Sequence, residues 1–198
     1  MLKRILDVVL AGLGLLFTAP LWLAIAVLVK LTSKGLVFFR QQRTGLSGQP
    51  FTLLKFRTMI DASDSKGNPL PDGQRLTRLG RFLRDTSLDE LPELINVLKG
   101  EMSLVGPRPL LLQYLGRYTP QQSRRHEVKP GITGWAQING RNALTWEQKF
   151  AMDVWYVENR SVFLDAKIIF LTAWKILKRE GINQPGRATA EEFMGSLR

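Results

Sequence analysis

The feature that most constrains this chain lies near its start. From Val8 to Val29, "VVLAGLGLLFTAPLWLAIAVLV", there is no charged residue. About 20 apolar residues suffice to cross the hydrocarbon core of a bilayer as a helix, and this run of roughly 22 has that length. Two details argue against a simple crossing. Pro20 stands in the middle of the run and lacks a backbone donor, so a bend is expected there. Lys3 and Arg4 precede the run while Lys30, Lys34, Arg40 and Arg43 follow it, and the positive-inside bias then places both ends on one side. The expectation is a re-entrant membrane helix hairpin over residues 1–34, followed by a cytosolic-face unit over 35–198. A cleaved signal peptide shares the basic start, but its apolar core is shorter, about 7 to 15 residues.

A second apolar segment, "FLDAKIIFLTAWKILKRE", mixes Ile168, Ile169, Leu171, Trp174 and Ile176 with Lys167, Lys175, Lys178 and Arg179. This interleaving suits an amphipathic helix lying in the headgroup plane, and equally an amphipathic helix on a protein core. Between the two apolar segments, "VFFRQQRTG" and "PFTLLKFRTM" read as short β segments around a turn at Gly45 to Gly48. "DASDSKGNPLPDGQ" reads as a polar loop, and Arg75 to Arg84 as a helix. Thr145, with Gln148 three residues on, fits a capping box for a helix running through Glu158. The fold class is α+β, predominantly helical, with short β segments and no internal repeat.

Composition narrows the chemistry. The chain has 198 residues, 44% of them apolar, and 28 lysines and arginines against 17 acids give a net charge of +11. Such an excess favours polyanionic partners: nucleic acid, anionic lipid or phosphorylated substrates. No cysteine is present, which removes disulfides, thiolate nucleophiles and thiolate metal sites. The single histidine, His126 in "SRRHEV", reads as a surface or hydrogen-bonded residue, since no second histidine shares a site with it.

Against this basic background stands "TSLDELPELINVLKGEMSLVGPRP", Thr86 to Pro109, with adjacent acids Asp89 and Glu90. A purely local account is available. Ser87 and Glu90 have capping-box spacing, acids complement the dipole at a helix start, and Pro92 is tolerated there. Leu94, Ile95, Val97 and Leu98 then supply an apolar stripe, and Gly100 after Lys99 a stop. The surrounding cations favour a chemical account. Arg78, Arg81 and Arg84 recur at helical spacing before the acids, and Arg108 is held between Pro107 and Pro109 after them. Arg78 and Arg81 read as a solvated face; a proline-locked guanidinium is better suited to grip phosphate oxygens. Adjacent carboxylates raise each other's pKa unless a cation offsets them, and magnesium characteristically bridges one or two carboxylates to substrate phosphates. Acids, arginines, metal and membrane together point to phosphoryl transfer on a lipid surface. No Walker loop, kinase signature or dinucleotide glycine fingerprint occurs.

Four elements together, "KFRTM", "SLDELPELINVLKGEMSLVGPRP", "RYTPQQSRRHEVKPGITGWAQINGRN" and the apolar N-terminus, closely resemble the small monotopic phosphoglycosyl transferases of bacteria, the PglC-like sugar transferases. The resemblance covers nearly the whole chain. It implies transfer of a sugar 1-phosphate from a UDP-sugar to polyprenol (undecaprenyl) phosphate with release of UMP, a first membrane step of glycoconjugate biosynthesis. It places the protein monotopically at the cytoplasmic face of the bacterial inner membrane. On the matching positions Asp89 is implied to be the nucleophile that forms a covalent phosphosugar intermediate. Glu90 is its partner, both acids bind Mg2+, and Lys55, Arg84, Arg108 and Arg141 bind substrate. Larger relatives carry extra N-terminal membrane helices, so the resemblance implies a minimal catalytic form. The family's re-entrant helix breaks at a Ser-Pro pair, where this chain has Ala19-Pro20.

Two alternatives stay open on sequence. In one, the lipid phosphate attacks the donor directly and both acids only hold metal. In the other, the chain is a membrane scaffold or nucleic-acid binder; that reading lacks an interleaved aromatic and basic binding module and leaves the acid pair unexplained, so no nucleic-acid partner is expected. Apolar surface beyond the hairpin would also allow a homo-oligomer.

Overall fold

A computed structural model describes residues 1–33, 35–140, 143–178 and 192–195. Helix α1 spans Leu2–Thr32, and strands β1 (Phe38–Thr44) and β2 (Pro50–Phe56) form the expected antiparallel hairpin, with Phe38 opposite Phe56 and Thr44 opposite Pro50. Ser47 and Gly48 take positive φ to turn the chain between them. The polar loop follows. The helix expected from Arg75 to Arg84 is two pieces, α2 (Asp72–Arg75) and α3 (Arg78–Asp85). The break arises because Thr77 is extended and its hydroxyl accepts from the Gly80 amide at 2.8 Å, which starts a new helix there.

Next come α4 (Glu93–Lys99), β3 (Ser103–Val105), the short helix α5 (Pro120–Ser123), β4 (Gly131–Thr133) and α6 (Trp135–Ile138). Gly100 ends α4 in the left-handed region (φ 85°), as its position predicts. β3 and β4 pair in parallel, with Ser103 opposite Gly131 and Val105 opposite Thr133. Here glycine is required by proximity, since a Cβ on Gly131 or Gly134 would collide with the Gly106 backbone. Helix α7 spans Trp146–Asn159 with the predicted Thr145/Gln148 capping box, and α8 spans Val162–Lys178.

α1 lies on the rest of the chain along one stripe. Ala11 is fully buried with Phe51, Leu53, Leu94, Val97 and Met102, while Ile25 and Val29 are buried with Phe56 and Leu83. Trp22 meets Phe56 edge-on at 5.2 Å. Polar residues fix the N-terminal end. Lys3 pairs with Asp165 at 2.6 Å and donates to the Val105 carbonyl at 3.1 Å. Arg4 donates to the carbonyls of Val97 (2.6 Å) and Leu98 (2.9 Å), which end α4. Asp7 accepts from the Ser103 hydroxyl (3.1 Å) and the Leu104 amide (3.0 Å). Hydrogen bonds to charged groups contribute about 1.5–3 kcal/mol each, so this end is firmly docked.

α1 is a continuous helix through Pro20, over Leu2–Thr32. The docking stripe explains this: Gly14 packs on Leu94 before Pro20 and Trp22 on Phe56 after it, so both halves are held against the same body. Away from the stripe α1 presents Leu16, Phe17, Leu23 and Leu31, each more than 60% exposed. α8 packs on the core along one side only. Ile168 and Asp165 are buried, while Phe163, Phe170 and Trp174 are exposed.

His126 is buried and hydrogen-bonded to the Gly45 backbone, the second of the two places read for it. It packs 5.5 Å from the Tyr118 ring, and its Nε2 has no protein partner. The cause is tertiary: residues 124–127 pack against α7. Burial first, and then the neighbouring Arg125 cation, push the imidazole pKa from 6.5 down to about 4. Between those values the unfolded chain binds a proton that the folded chain refuses, so stability is lost as pH falls through that window. We expect the melting temperature to drop on acidification from neutral pH to about 4, and to drop less steeply in His126→Gln. Identical slopes for the two proteins would contradict this.

Candidate active site

Five stretches of chain converge on the two acids. Thr86 ends α3, and Ser87 then turns left-handed (φ 57°), which throws Leu88, Asp89 and Glu90 into a single tight turn before α4 begins at Glu93. The capping box expected at Ser87 and Glu90 is therefore absent: Ser87 makes no cap, and the Glu90 carboxylate is engaged elsewhere. Glu90 Oε1 accepts from Lys55 on β2 at 2.5 Å and from Arg108, in the loop after β3, at 2.7 Å. Lys55 also reaches Glu93 at 3.1 Å. Arg84, at the end of α3, donates from Nε to the Thr58 hydroxyl at 3.1 Å and is an electrostatic neighbour of Asp89. Arg78 and Arg81 face solvent as expected.

The scaffold beneath is polar and buried. Asn96, fully buried within the predicted apolar stripe of α4, accepts from the Leu54 amide (3.1 Å) and donates to the Thr52 carbonyl (2.7 Å). It thereby registers the helix that follows the acids against the strand that carries Lys55. Behind Arg108, the buried Arg125 donates to the Arg108 carbonyl at 2.7 Å and to Asp153 of α7 at 2.8 and 3.0 Å. The loop carrying Arg108 is thus held by backbone as well as by its prolines.

The environment separates the two acids. Burial alone would raise the Glu90 pKa, but Arg108 and then Lys55 overcome it and hold the carboxyl well below the usual range. Asp89 is only 8% exposed and takes part in none of these ion pairs. Burial pushes its pKa up; Lys55 opposes that and the Glu90 charge adds to it. Glu93 is raised by burial against the pull of Lys55. The outcome is one fixed anion and, beside it, a desolvated carboxylate of raised basicity, which is how neighbouring acids come to play different parts.

For a metal, among the described residues no group of three or more histidine or acidic side chains gathers as a cage. The available donors are Asp89 and Glu90, whose Oε2 is left clear because both cations sit on Oε1. Two carboxylates completed by substrate oxygens suit magnesium. Of the predicted site residues, Lys55, Arg84, Asp89, Glu90 and Arg108 come together, and Arg141 lies outside the described residues. The sequence reading did not assign Glu93 or Arg43 to the site. Glu93 stands three residues past Glu90, a helical spacing that could have flagged it; Arg43 is brought in by strand pairing.

Comparison with known proteins is consistent across nearly the whole chain. The model of the family described as bacterial sugar transferase matches residues 1–179. The uncharacterized sugar transferase EpsL of Bacillus subtilis is 60% identical over 195 residues, covering 98% of this chain and 96% of that protein. The Escherichia coli UDP-glucose:undecaprenyl-phosphate glucose-1-phosphate transferase is 46% identical over 88% of this chain, which spans only 40% of that enzyme's length. The exopolysaccharide production protein ExoY of Rhizobium meliloti is 41% identical over 87% of this chain and 84% of its own length. With a family match over residues 1–179 and a relative 60% identical along almost its full length, the chain belongs to the bacterial sugar transferase family.

Proposed function

We propose that this chain transfers a sugar 1-phosphate from a UDP-sugar to polyprenol phosphate, releasing UMP, as a step in glycoconjugate biosynthesis. The observation that carries the reading is the divided acid pair: Glu90 is fixed by Lys55 and Arg108, and Asp89 is buried beside it outside those ion pairs. The substrate class comes from relatives named as UDP-glucose:undecaprenyl-phosphate glucose-1-phosphate transferases. In the proposed first step an Asp89 oxygen attacks the phosphorus that bears the sugar, the bond from that phosphorus to the UMP oxygen breaks, and UMP leaves with the electron pair. In the second, a phosphate oxygen of the lipid attacks the same phosphorus and the aspartate carboxylate departs. Two steps let a soluble donor and a membrane acceptor use the site in turn. Arg108 and Lys55 orient the donor's diphosphate, aided by Arg84 and, in this proposal, Arg141. Asp89 and Glu90 would hold Mg2+, which when bound supplies neutralisation of the diphosphate charge.

We place the protein monotopically at the cytoplasmic face of the bacterial inner membrane. Both ends of α1 favour this, since Lys3, Arg4 and Asp7 at one end and Ile25 and Val29 at the other contact the same body. Docking of both ends on one body favours having both on the same side of a bilayer. Its exposed leucines and phenylalanine, with Phe163, Phe170 and Trp174 of α8, form the surface that lipid would cover.

Two measurements test these statements. Purified protein, Mg2+ and polyprenol phosphate, screened against a panel of UDP-sugars, should release UMP with at least one donor, and Asp89→Asn should lower that rate by about three orders of magnitude or more. No UMP from any donor, or an undiminished Asp89→Asn rate, would contradict the reading. Because the chain has no cysteine, Leu2→Cys and Leu36→Cys report topology cleanly. In intact cells neither should react with an impermeant external thiol reagent. Labelling at position 2 alone would show that α1 crosses the membrane.

A further inference from the structure

Arg43 occupies an unusual place for a cation. It is the penultimate residue of β1, and the next residue, Thr44, donates from both its amide (3.0 Å) and its hydroxyl (3.1 Å) to the Leu110 carbonyl. Arg43 itself bridges Leu111 through the backbone. This stitching fastens β1 to the chain just past Pro107–Arg108–Pro109 and sets the Arg43 guanidinium near Arg108. There its hydrogen bonds go only to neutral groups. One terminal nitrogen donates to Gln41 Oε1 at 2.6 Å, the other reaches the Pro109 carbonyl at 3.5 Å, and Nε is buried with no partner.

No carboxylate within reach is left to neutralise it. Glu90 Oε1 already serves Lys55 and Arg108, Glu93 pairs with Lys55, and among the described residues Arg43 enters no ion pair; both glutamates act on it only at longer range. Arg43 and Arg108 thus stand close together, and of the two only Arg108 pairs with a carboxylate among the described residues. Burial, and then repulsion from Arg108, lower the pKa of Arg43 to about 10 against the opposing pull of Glu93 and Glu90. The terminal nitrogens, held only by neutral acceptors and one of them by a long 3.5 Å contact, are the donors that an arriving anion would recruit. Phosphate oxygens match its fork, and two guanidiniums close together suit a group of charge −2.

We propose that Arg43 is a further substrate-binding residue of this site, gripping a substrate phosphate next to Arg108. The inference rests on the phosphoryl-transfer reading above. A purely structural arginine is the rival, but the backbone of Thr44 and Leu111 already joins the strand to the loop without the side chain.

Full-length protein in detergent, as wild type, Arg43→Gln and Arg43→Lys, is melted alone, with UDP, and with a short-chain polyprenol phosphate. Without ligand, Arg43→Gln should melt at or above the wild-type temperature, because a poorly compensated cation has been removed. UDP should stabilise wild type and bind Arg43→Gln about tenfold more weakly, with Arg43→Lys between them. If instead only the stabilisation by polyprenol phosphate is lost, the phosphate held is the acceptor's. Undiminished stabilisation of Arg43→Gln by both ligands would overturn the assignment while leaving the transferase reading intact. Wild type unaffected by either ligand would overturn the transferase reading and this inference with it. Should Arg43→Gln fail to fold, Arg43→Lys, which keeps the charge but not the fork, decides by the same comparison.

Discussion

The rest of the site depends on the Glu90 carboxylate, one of whose oxygens is shared by Lys55 and Arg108. That single oxygen ties together a strand, a tight turn and the loop after β3, which lie 35 and 18 residues apart in sequence from Glu90. Lys55 and Glu90 are largely buried, so removing either partner would leave the other charge unpaired in low dielectric, while Arg108 closes the group from the exposed side. Glu93 and Asn96 supply further partners on the side of β2, and Arg125 with Asp153 steadies the Arg108 backbone from behind. With Glu90 committed to this role, Asp89 is left as the desolvated carboxylate beside it.

The apolar N-terminal helix belongs to the same construction. Lys3 and Tyr156 both donate to the Val105 carbonyl, and Asp7 holds Ser103 and Leu104. Val105 is followed by Gly106, Pro107 and Arg108, so the docking of α1 bears directly on the strand that presents the arginine. An exposed apolar face and a docked polar face are thus parts of one helix, whose Lys3, Arg4 and Asp7 turn toward the protein beside the site.

Much of this was legible from local signals. The Thr145/Gln148 box, the stop at Gly100 and the β1–β2 hairpin rest on interactions within a few residues, and they fold as read. Asp89, Glu90 and Arg108 were legible because two acids in a basic chain, and an arginine between prolines, have few purely structural uses. Ser87 misled for the same reason: its spacing to Glu90 fits a cap, but Lys55 and Arg108, invisible at that range, take the glutamate first. Arg43, Asn96 and the Arg125–Asp153 pair gave no local signal at all; strand pairing and helix packing alone bring them to the site.

The central claim is that the two acids have different work, with Asp89 forming the bond to phosphorus. It is tested most directly by mixing enzyme, Mg2+ and the productive UDP-sugar with no acceptor present, then measuring UMP and the mass of the peptide containing Asp89. The account predicts UMP equal in amount to the enzyme and one sugar phosphate added to that peptide. UMP and adduct that remain absent until polyprenol phosphate is supplied would contradict it, and would make Asp89 a metal ligand in a direct transfer.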